Sequence, residues 1–279
     1  NGQIEFTEDF FSFDNRLVIG ISYFKGQSKF DSILELSELD PISRSTLGLG
    51  TGTFFDEAAT QINTNNETMS WFFNNTFQMT EQLSLIISGR YNDTDVSLRD
   101  RSGERPELNG DHNFTRFNPA FGFTYDVSSR VNIYGSYSES NRVPTPIELA
   151  CNEGIFTLAQ EFAAEAGEDP ADIDFECRLP NAFLADPPLD QVVTKNIELG
   201  VRGQLKDLDF ELNVFNANNE DDVIFQTTGR STGLFANVDE TRRRGIEVAL
   251  SGSYGNLEWQ SSLSHINATF QDHFMVLSP

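Results

Sequence analysis

Apolar and polar side chains alternate with a period of two along much of the chain. In residues 196–202, for example, Ile197, Leu199 and Val201 alternate with polar or small residues. A helix would need its apolar residues three or four positions apart, whereas successive side chains of a β-strand point to opposite faces of a sheet. The pattern therefore predicts strands with one apolar and one polar face. Similar runs occupy residues 83–91, 131–138, 246–251 and 257–264.

Short turns and long polar segments separate these runs in alternation. Short turns, of a length typical of β-hairpins, are predicted at residues 14–15, 80–82, 127–129, 206–207 and 255–256. Long loops are predicted at residues 26–68, 99–113, 139–193 and 218–242. This order predicts about ten antiparallel strands, mostly of roughly 9 to 14 residues.

This arrangement predicts an all-β fold, an antiparallel transmembrane β-barrel. A tilted strand of about 9–11 residues crosses a bilayer, and outer-membrane barrels carry short periplasmic turns and long extracellular loops. We expect a partial barrel, with about ten strands of a larger up-and-down barrel. A soluble sandwich also alternates, but its strands are usually about 5–6 residues long. A β-solenoid would repeat every 20–50 residues or so, and the loops here vary too much in length.

Composition excludes several functional classes. The net charge of −24 argues against nucleic-acid binding, which needs a basic surface. The 25 Phe residues are too many for a disordered acidic chain. Neither a G-x-S-x-G nor an H-E-x-x-H motif occurs. The three histidines show no metal-ligand spacing, so we expect neither catalysis nor a cofactor or metal centre.

Three segments resemble the barrel of TonB-dependent outer-membrane receptors. Residues 134–149 (YGSYSESNRVPTPIEL) are similar to the family's strand and rim turn, of the type "R-x-P-T/S-x-x-E-L". Residues 196–203 (NIELGVRG) and 244–248 (RGIEV) are similar to two later strands of that barrel. The order of these segments also matches the family. The resemblance assigns the rim turn to Arg142, Pro144, Thr145, Glu148 and Leu149.

The resemblance implies a location in the bacterial outer membrane, surrounded by lipid. It implies a plug domain in the same parent chain, coupling through periplasmic TonB, and uptake of a nutrient such as a ferric siderophore, cobalamin or carbohydrate. The family's plug, coupling box and aromatic-terminated last strand are not visible in the sequence, and its barrel has 22 strands. We therefore expect residues 1–279 to be a partial barrel domain without the plug and the C-terminal strands. The alternative is a passive porin or another non-gated barrel.

The alternation also assigns the two faces of the barrel wall. We expect Ile197, Leu199 and Val201 to face lipid. Charged groups are costly to bury without water, so a hydrated or plug-filled lumen suits the opposite face. The residues expected to face the lumen are Arg90, Tyr134, Glu198, Arg202 and Glu247.

The loop at residues 139–193 is the longest and most acidic. Pro144 and Pro146 each fix φ and remove a backbone donor, so the strand should end near Arg142 and the next begin near Val192 or Thr194. The loop holds twelve acidic and two basic residues, with a possible short helix at 158–166. Its carboxylates are ligands of the kind that Ca²⁺ prefers, but the EF-hand spacing is absent.

Cys151 and Cys177 are the two cysteines of the chain, and both lie in this loop. An extracellular loop has passed through the oxidising periplasm, so we predict that they form a disulfide. Closing a loop of this size stabilises a protein by about 3.5 kcal/mol in the entropy model. Mass spectrometry of the unreduced, alkylated protein should find neither thiol modified. Two alkylated thiols in the mature protein would refute the pairing.

Overall fold

The computed structural model describes residues 1–8, 13–35, 40–44, 54–103, 109–149, 189–227 and 233–273, together with 160–161, 164–165, 167 and 169–170. Ten strands form one sheet in which each strand pairs with its neighbours in the sequence, so the order in space is β1 to β10. Every pairing is antiparallel. The sheet is open, with β1 and β10 at its two edges. This confirms the predicted partial up-and-down barrel.

The strands and the one short helix have the following bounds: β1 Gly2–Phe6, β2 Asp14–Glu35, β3 Phe54–Gln78, β4 Leu83–Asp100, β5 Gly110–Ser128, β6 Val131–Arg142, α1 Pro146–Leu149, β7 Val192–Leu205, β8 Leu208–Thr227, β9 Gly233–Tyr254 and β10 Leu257–Phe270. Among the described residues, no helix has the length and apolarity needed to cross a membrane.

The register of the strands collects apolar side chains on one face of the sheet. Leu199 lies opposite Val214, which in turn lies opposite Ile246. The adjacent row of the ladder joins Tyr134, Gly200 and Asn213 on the other face. Each apolar row is thus followed by a polar row. The apolar face also includes two stripes of large side chains, at Met69, Trp71, Phe73 and Phe77 and at Phe117, Phe121, Phe123 and Tyr125.

Most strands are longer than predicted. β3 has 25 residues and β8 has 20, so the predicted loops at 26–68 and 218–242 are largely strand. The sequence prediction failed there because residues such as Asn65 and Asn66 of β3 make the strand polar on both faces. On β4, Leu85 and Ile87 belong to the apolar face, but further along the strand Val96 and Leu98 point to the opposite face and are buried.

The short turns lie together at one end of the sheet. Lys206 and Gly255 begin two-residue turns and have φ values of 57° and 62°. The chain reverses at residues 129–130, slightly later than expected. The turn predicted at Asp14 and Asn15 is wrong, because β2 already begins at Asp14. β6 ends at Arg142 and β7 begins at Val192, as the prolines of the rim motif suggested.

The two faces of β7 should differ in their tolerance of charge. Leu199 is 50% exposed on the apolar face, so Leu199→Arg should cost about 2–4 kcal/mol if that face meets the middle of a bilayer. Glu198→Gln, on the polar face, should cost far less. Urea unfolding of the full-length protein in lipid vesicles measures both free energies. Equal destabilisation by the two substitutions would contradict this assignment of the faces.

Candidate functional site

The rim motif folds into a capped helical turn directly after β6. The backbone N–H and the hydroxyl of Thr145 donate to Glu148 Oε2 over 2.7 and 3.0 Å, and Glu148 N–H donates back to Thr145 Oγ1 over 3.4 Å. This is a capping box, with Pro146 in the first helical position. Arg142 Nη1 donates to the same carboxylate oxygen over 2.7 Å. The motif therefore turns the chain sharply at the end of the strand.

α1 directs Leu149 onto the polar face of the sheet. Leu149 is fully buried in a cluster with Ile62 of β3 and with Val96 and Leu98 of β4. Phe30, Phe114 and Val143 pack around this cluster. The apolar residues that change face near the end of β4 thus form a small core for the turn. The chain after β6 is attached to strands β3 and β4 instead of leading away from the sheet.

A second attachment precedes β7. Asn141 Nδ2 donates to Gln191 Oε1 over 2.8 Å, and Gln191 Nε2 donates to the carbonyl of Thr115 over 2.9 Å. Asp190 N–H donates to Asn237 Oδ1 over 2.9 Å, and Asn237 Nδ2 donates to the Asp190 carbonyl over 3.2 Å. Both ends of the segment at residues 150–188 are therefore fixed to the sheet.

A recess on the polar face brings three of the predicted lumen residues together. Tyr134, Glu198 and Glu247 line it, with Glu211 and Asn213. Tyr134 donates its hydroxyl to Glu211 Oε1 over 3.0 Å. Gly200 lies opposite Tyr134, and a Cβ at that position would overlap the tyrosine ring. A glycine is therefore required for the ring to lie flat across β7.

Arg202 joins this group from the side. Its guanidinium carbon lies 5.3 Å from the centroid of the Tyr134 ring, within the range of a cation–π interaction. Arg202 also lies opposite Glu211 in the ladder. Four of the five predicted lumen residues thus form one charged cluster, in which Tyr134 lies at the centre.

Arg90 lies apart from this cluster. It donates Nη2 to Ser22 Oγ over 2.8 Å and Nε to Asn92 Oδ1 over 2.9 Å. Its guanidinium carbon lies 5.8 Å from the centroid of the Phe72 ring. Arg90 shares the polar face with Tyr134 and Glu198, but its contacts are to β2, β3 and β4.

Several sequence expectations fall outside the described residues. Cys151 and Cys177 are among them, as are most residues of the possible helix at 158–166 and six of the twelve acidic residues of the loop at 139–193. In the described part of the chain, no group of three or more His, Cys, Asp or Glu side chains is arranged to hold a metal ion.

Sequence reasoning missed how the rim motif is attached. The capping box could have been found, because Thr145 and Glu148 have the T-x-x-E spacing. The partners of Leu149 carried no such signal, because Ile62 and Leu98 are distant in the sequence and lay in or next to predicted loops. Asn141 and Gln191 were also not identified, since single amides in polar segments are common.

Comparisons with known proteins agree with this architecture. The sequence model "TonB dependent receptor-like, beta-barrel" matches residues 2–274. No curated protein sequence matches the chain.

Solved structures share the fold at low identity. The ferric-catecholate import receptor Fiu from E. coli K12 has a TM-score of 0.66 at 13% identity, over 97% of this chain and 37% of that chain. The copper transporter OprC has a TM-score of 0.64 at 15% identity, over 96% of this chain and 36% of that chain. FpvA of P. aeruginosa, in complex with a pyoverdine and iron, has a TM-score of 0.63 at 17% identity, over 96% and 31%.

The chain thus spans about a third of the length of these receptors. At such identities the solved structures show the fold alone, whereas the family model covers nearly the whole sequence. The family's barrels lie in the Gram-negative outer membrane, where a continuous ladder satisfies every backbone polar group. The chain belongs to the TonB-dependent receptor β-barrel family.

Proposed function

We propose that this chain forms part of the barrel wall of an energy-coupled nutrient receptor in the outer membrane. The apolar face meets lipid, and the polar face lines the interior. The whole receptor would add a plug domain from the same parent chain, coupling to periplasmic TonB, and a small nutrient ligand. Receptors of this kind bind and transport and are not enzymes.

The observation that carries this proposal is the division of the sheet into two chemically different faces. Large apolar side chains such as Ile197, Leu199 and Ile246 are about half exposed on one face, as expected where lipid replaces water. The opposite face carries Arg90, Arg202 and three glutamates around Tyr134. Such a charged wall requires a hydrated or polar neighbour, and a plug or an aqueous passage supplies one.

The attachments at the long-loop end support a role in ligand capture. Leu149 is fixed to β4 and Asp190 to β9. These strands are five positions apart, which is roughly 24 Å along the wall at the usual strand spacing of about 4.8 Å. The residues that flank the segment at 150–188 are therefore attached on opposite sides of the β6–β7 pair, at the end of the sheet away from the short turns.

Two observations bear on the chemical class of the ligand. The similar receptors named above carry a ferric catecholate, copper and a ferric pyoverdine. The loop at residues 139–193 is strongly acidic, so at low ionic strength it favours cationic, neutral or metal-bridged ligands over free anionic chelates. A metal-containing nutrient fits both observations.

Deleting residues 152–176 in the full-length receptor tests this function. We expect the barrel to fold and the receptor to reach the outer membrane, but ligand affinity to fall about tenfold or more, because the mouth loses its first contact surface. Uptake of radiolabelled ferric catecholate, ferric citrate, cobalamin and a maltooligosaccharide should be measured in cells with and without TonB. A deletion within residues 45–52, between β2 and β3, is the matched control.

Two results would overturn the proposal. Uptake that is unchanged in cells lacking TonB would identify a passive porin instead of an energy-coupled receptor. Unchanged affinity and uptake after deletion of residues 152–176 would show that this segment has no part in ligand capture.

Leu149 should hold the start of that segment against the wall. Leu149→Ala removes buried apolar contacts worth about 2–5 kcal/mol, so the attachment should open more often. Trypsin can cut within residues 150–188 only after Arg178, and we expect that cut to become several-fold faster. Leu149→Met, which conserves side-chain volume, should behave like the wild type. Equal cleavage rates in all three proteins would contradict a role for this contact.

A further inference from the structure

Two arginines stand directly above the apolar band on the outer face of β9. Along this face the strand carries Leu250, Val248 and Ile246, followed by Arg244 and Arg242. This column of five outward-facing side chains runs toward the end of the sheet opposite the short turns, which is the extracellular end in this family. Arg244 is exposed and Arg242 is half-buried. The two guanidinium groups therefore lie where an apolar bilayer core would give way to headgroups.

Neutral polar side chains flank the two arginines on the neighbouring strands. Asn218 lies opposite Arg242 and Asn216 opposite Arg244 on β8, and Asn216 Nδ2 donates to Asn218 Oδ1 over 3.1 Å. Asn267 lies opposite Arg244 on β10, and His265 follows diagonally below it, opposite Ile246. The surface around the arginines thus offers further hydrogen-bond donors. Two carboxylates lie on the far side of Arg242, Glu240 next along β9 and Glu220 diagonally on β8, and Glu220 is already paired with Lys195.

Three other basic side chains on the outer face, toward the same end of the sheet, are paired with carboxylates. Lys25 donates to Glu67 over 2.5 Å, and Tyr23 and Asn65 donate to the same carboxylate. Arg99 pairs with Asp111 over 2.6 Å, and Lys195 with Glu220 over 2.5 Å. These pairs leave their cations little capacity to bind an external anion.

Arg242 and Arg244 differ from them. Neither has a carboxylate within ion-pair distance among the described residues. Arg242 Nε is buried without a hydrogen-bond partner in the same part of the chain. The carboxylate next along the column, Glu240, lies beyond Arg242 on the side away from the apolar band. In a chain with a net charge of −24, two neighbouring arginines that have no ion pair in the described part of the chain offer a local anion site.

We propose that Arg242 and Arg244 bind a phosphate of a phosphorylated glycolipid in the outer leaflet. Guanidinium groups bind phosphate oxygens in pairs of parallel hydrogen bonds, and basic clusters next to a bilayer recognise anionic headgroups. The acyl chains of the same lipid would lie along Ile246, Val248 and Leu263, on the same face. A free phosphate lacks this second, apolar contact. The assignment rests on the proposed position of the chain in the outer membrane.

Native mass spectrometry of the full-length receptor can test this site with bisphosphorylated lipid A and with its dephosphorylated form. For the wild type we expect the phosphorylated lipid to bind about tenfold or more tightly, the difference made by one charge-assisted hydrogen bond or more. Arg242→Gln with Arg244→Gln should remove this preference. Arg243→Gln is the matched control, because Arg243 is adjacent in sequence but points to the inner face.

Equal binding of the two lipids to the wild type would overturn the proposal, and this comparison needs no variant to fold. An equal loss of affinity in Arg243→Gln would also overturn it, because the effect would then reflect net charge. The function proposed above is measured separately, by ligand uptake in cells with and without TonB. A receptor that takes up its ligand but does not discriminate between the lipids would refute the lipid site alone.

Discussion

Within a bilayer every backbone N–H and C=O must find a partner inside the protein, and the whole structure depends on that requirement. The ladder meets it from β2 to β9 by pairing each strand with its neighbours in sequence, and only the outer edges of β1 and β10 are left open in this sheet. Because side chains alternate between faces, a slip of one residue would turn Leu199 inward and Glu198 into lipid. Tyr134 further restricts the register, because its ring lies over Gly200 and a larger residue at that position would overlap the ring.

The surroundings of the outer face change from lipid to water where the strands leave the membrane. The structure of the rim follows from that change. Below the rim, lipid solvates the outer face, so Leu85 and Ile87 point outward. Above it the outer face meets water, and Val96 and Leu98 point inward, where they are buried. The inner face at the mouth therefore becomes a small apolar core. α1 packs on this core through Leu149, so the longest loop begins at the point where the strands leave the membrane.

The alternation of apolar and polar residues was predictive only where it holds along the whole strand. Alternation placed Leu199 and Glu198 on opposite faces, because one period holds throughout the membrane-spanning part of β7. It failed for the ends of β3, where Asn65 and Asn66 are polar on both faces and resemble a loop. For the charged cluster around Tyr134, the sequence predicted only that its residues share one face of the sheet. Its contacts depend on pairing between strands, so the bond from Tyr134 to Glu211, 77 positions apart, had no local signal.

The two attachments of the segment at residues 150–188 are chemically alike in one respect. Leu149 is held by aliphatic packing, and the chain of bonds from Asn141 through Gln191 to the Thr115 carbonyl consists of amides. Neither aliphatic nor amide groups titrate, and salt screens interactions between charges and not these contacts. Changes in pH or ionic strength therefore act weakly on these contacts themselves, and reach Leu149 only through the Glu148 carboxylate, which caps α1 and pairs with Arg142. Movement of the segment would instead require a competitor for the same contacts, such as a ligand at the mouth or another part of the receptor inside the barrel.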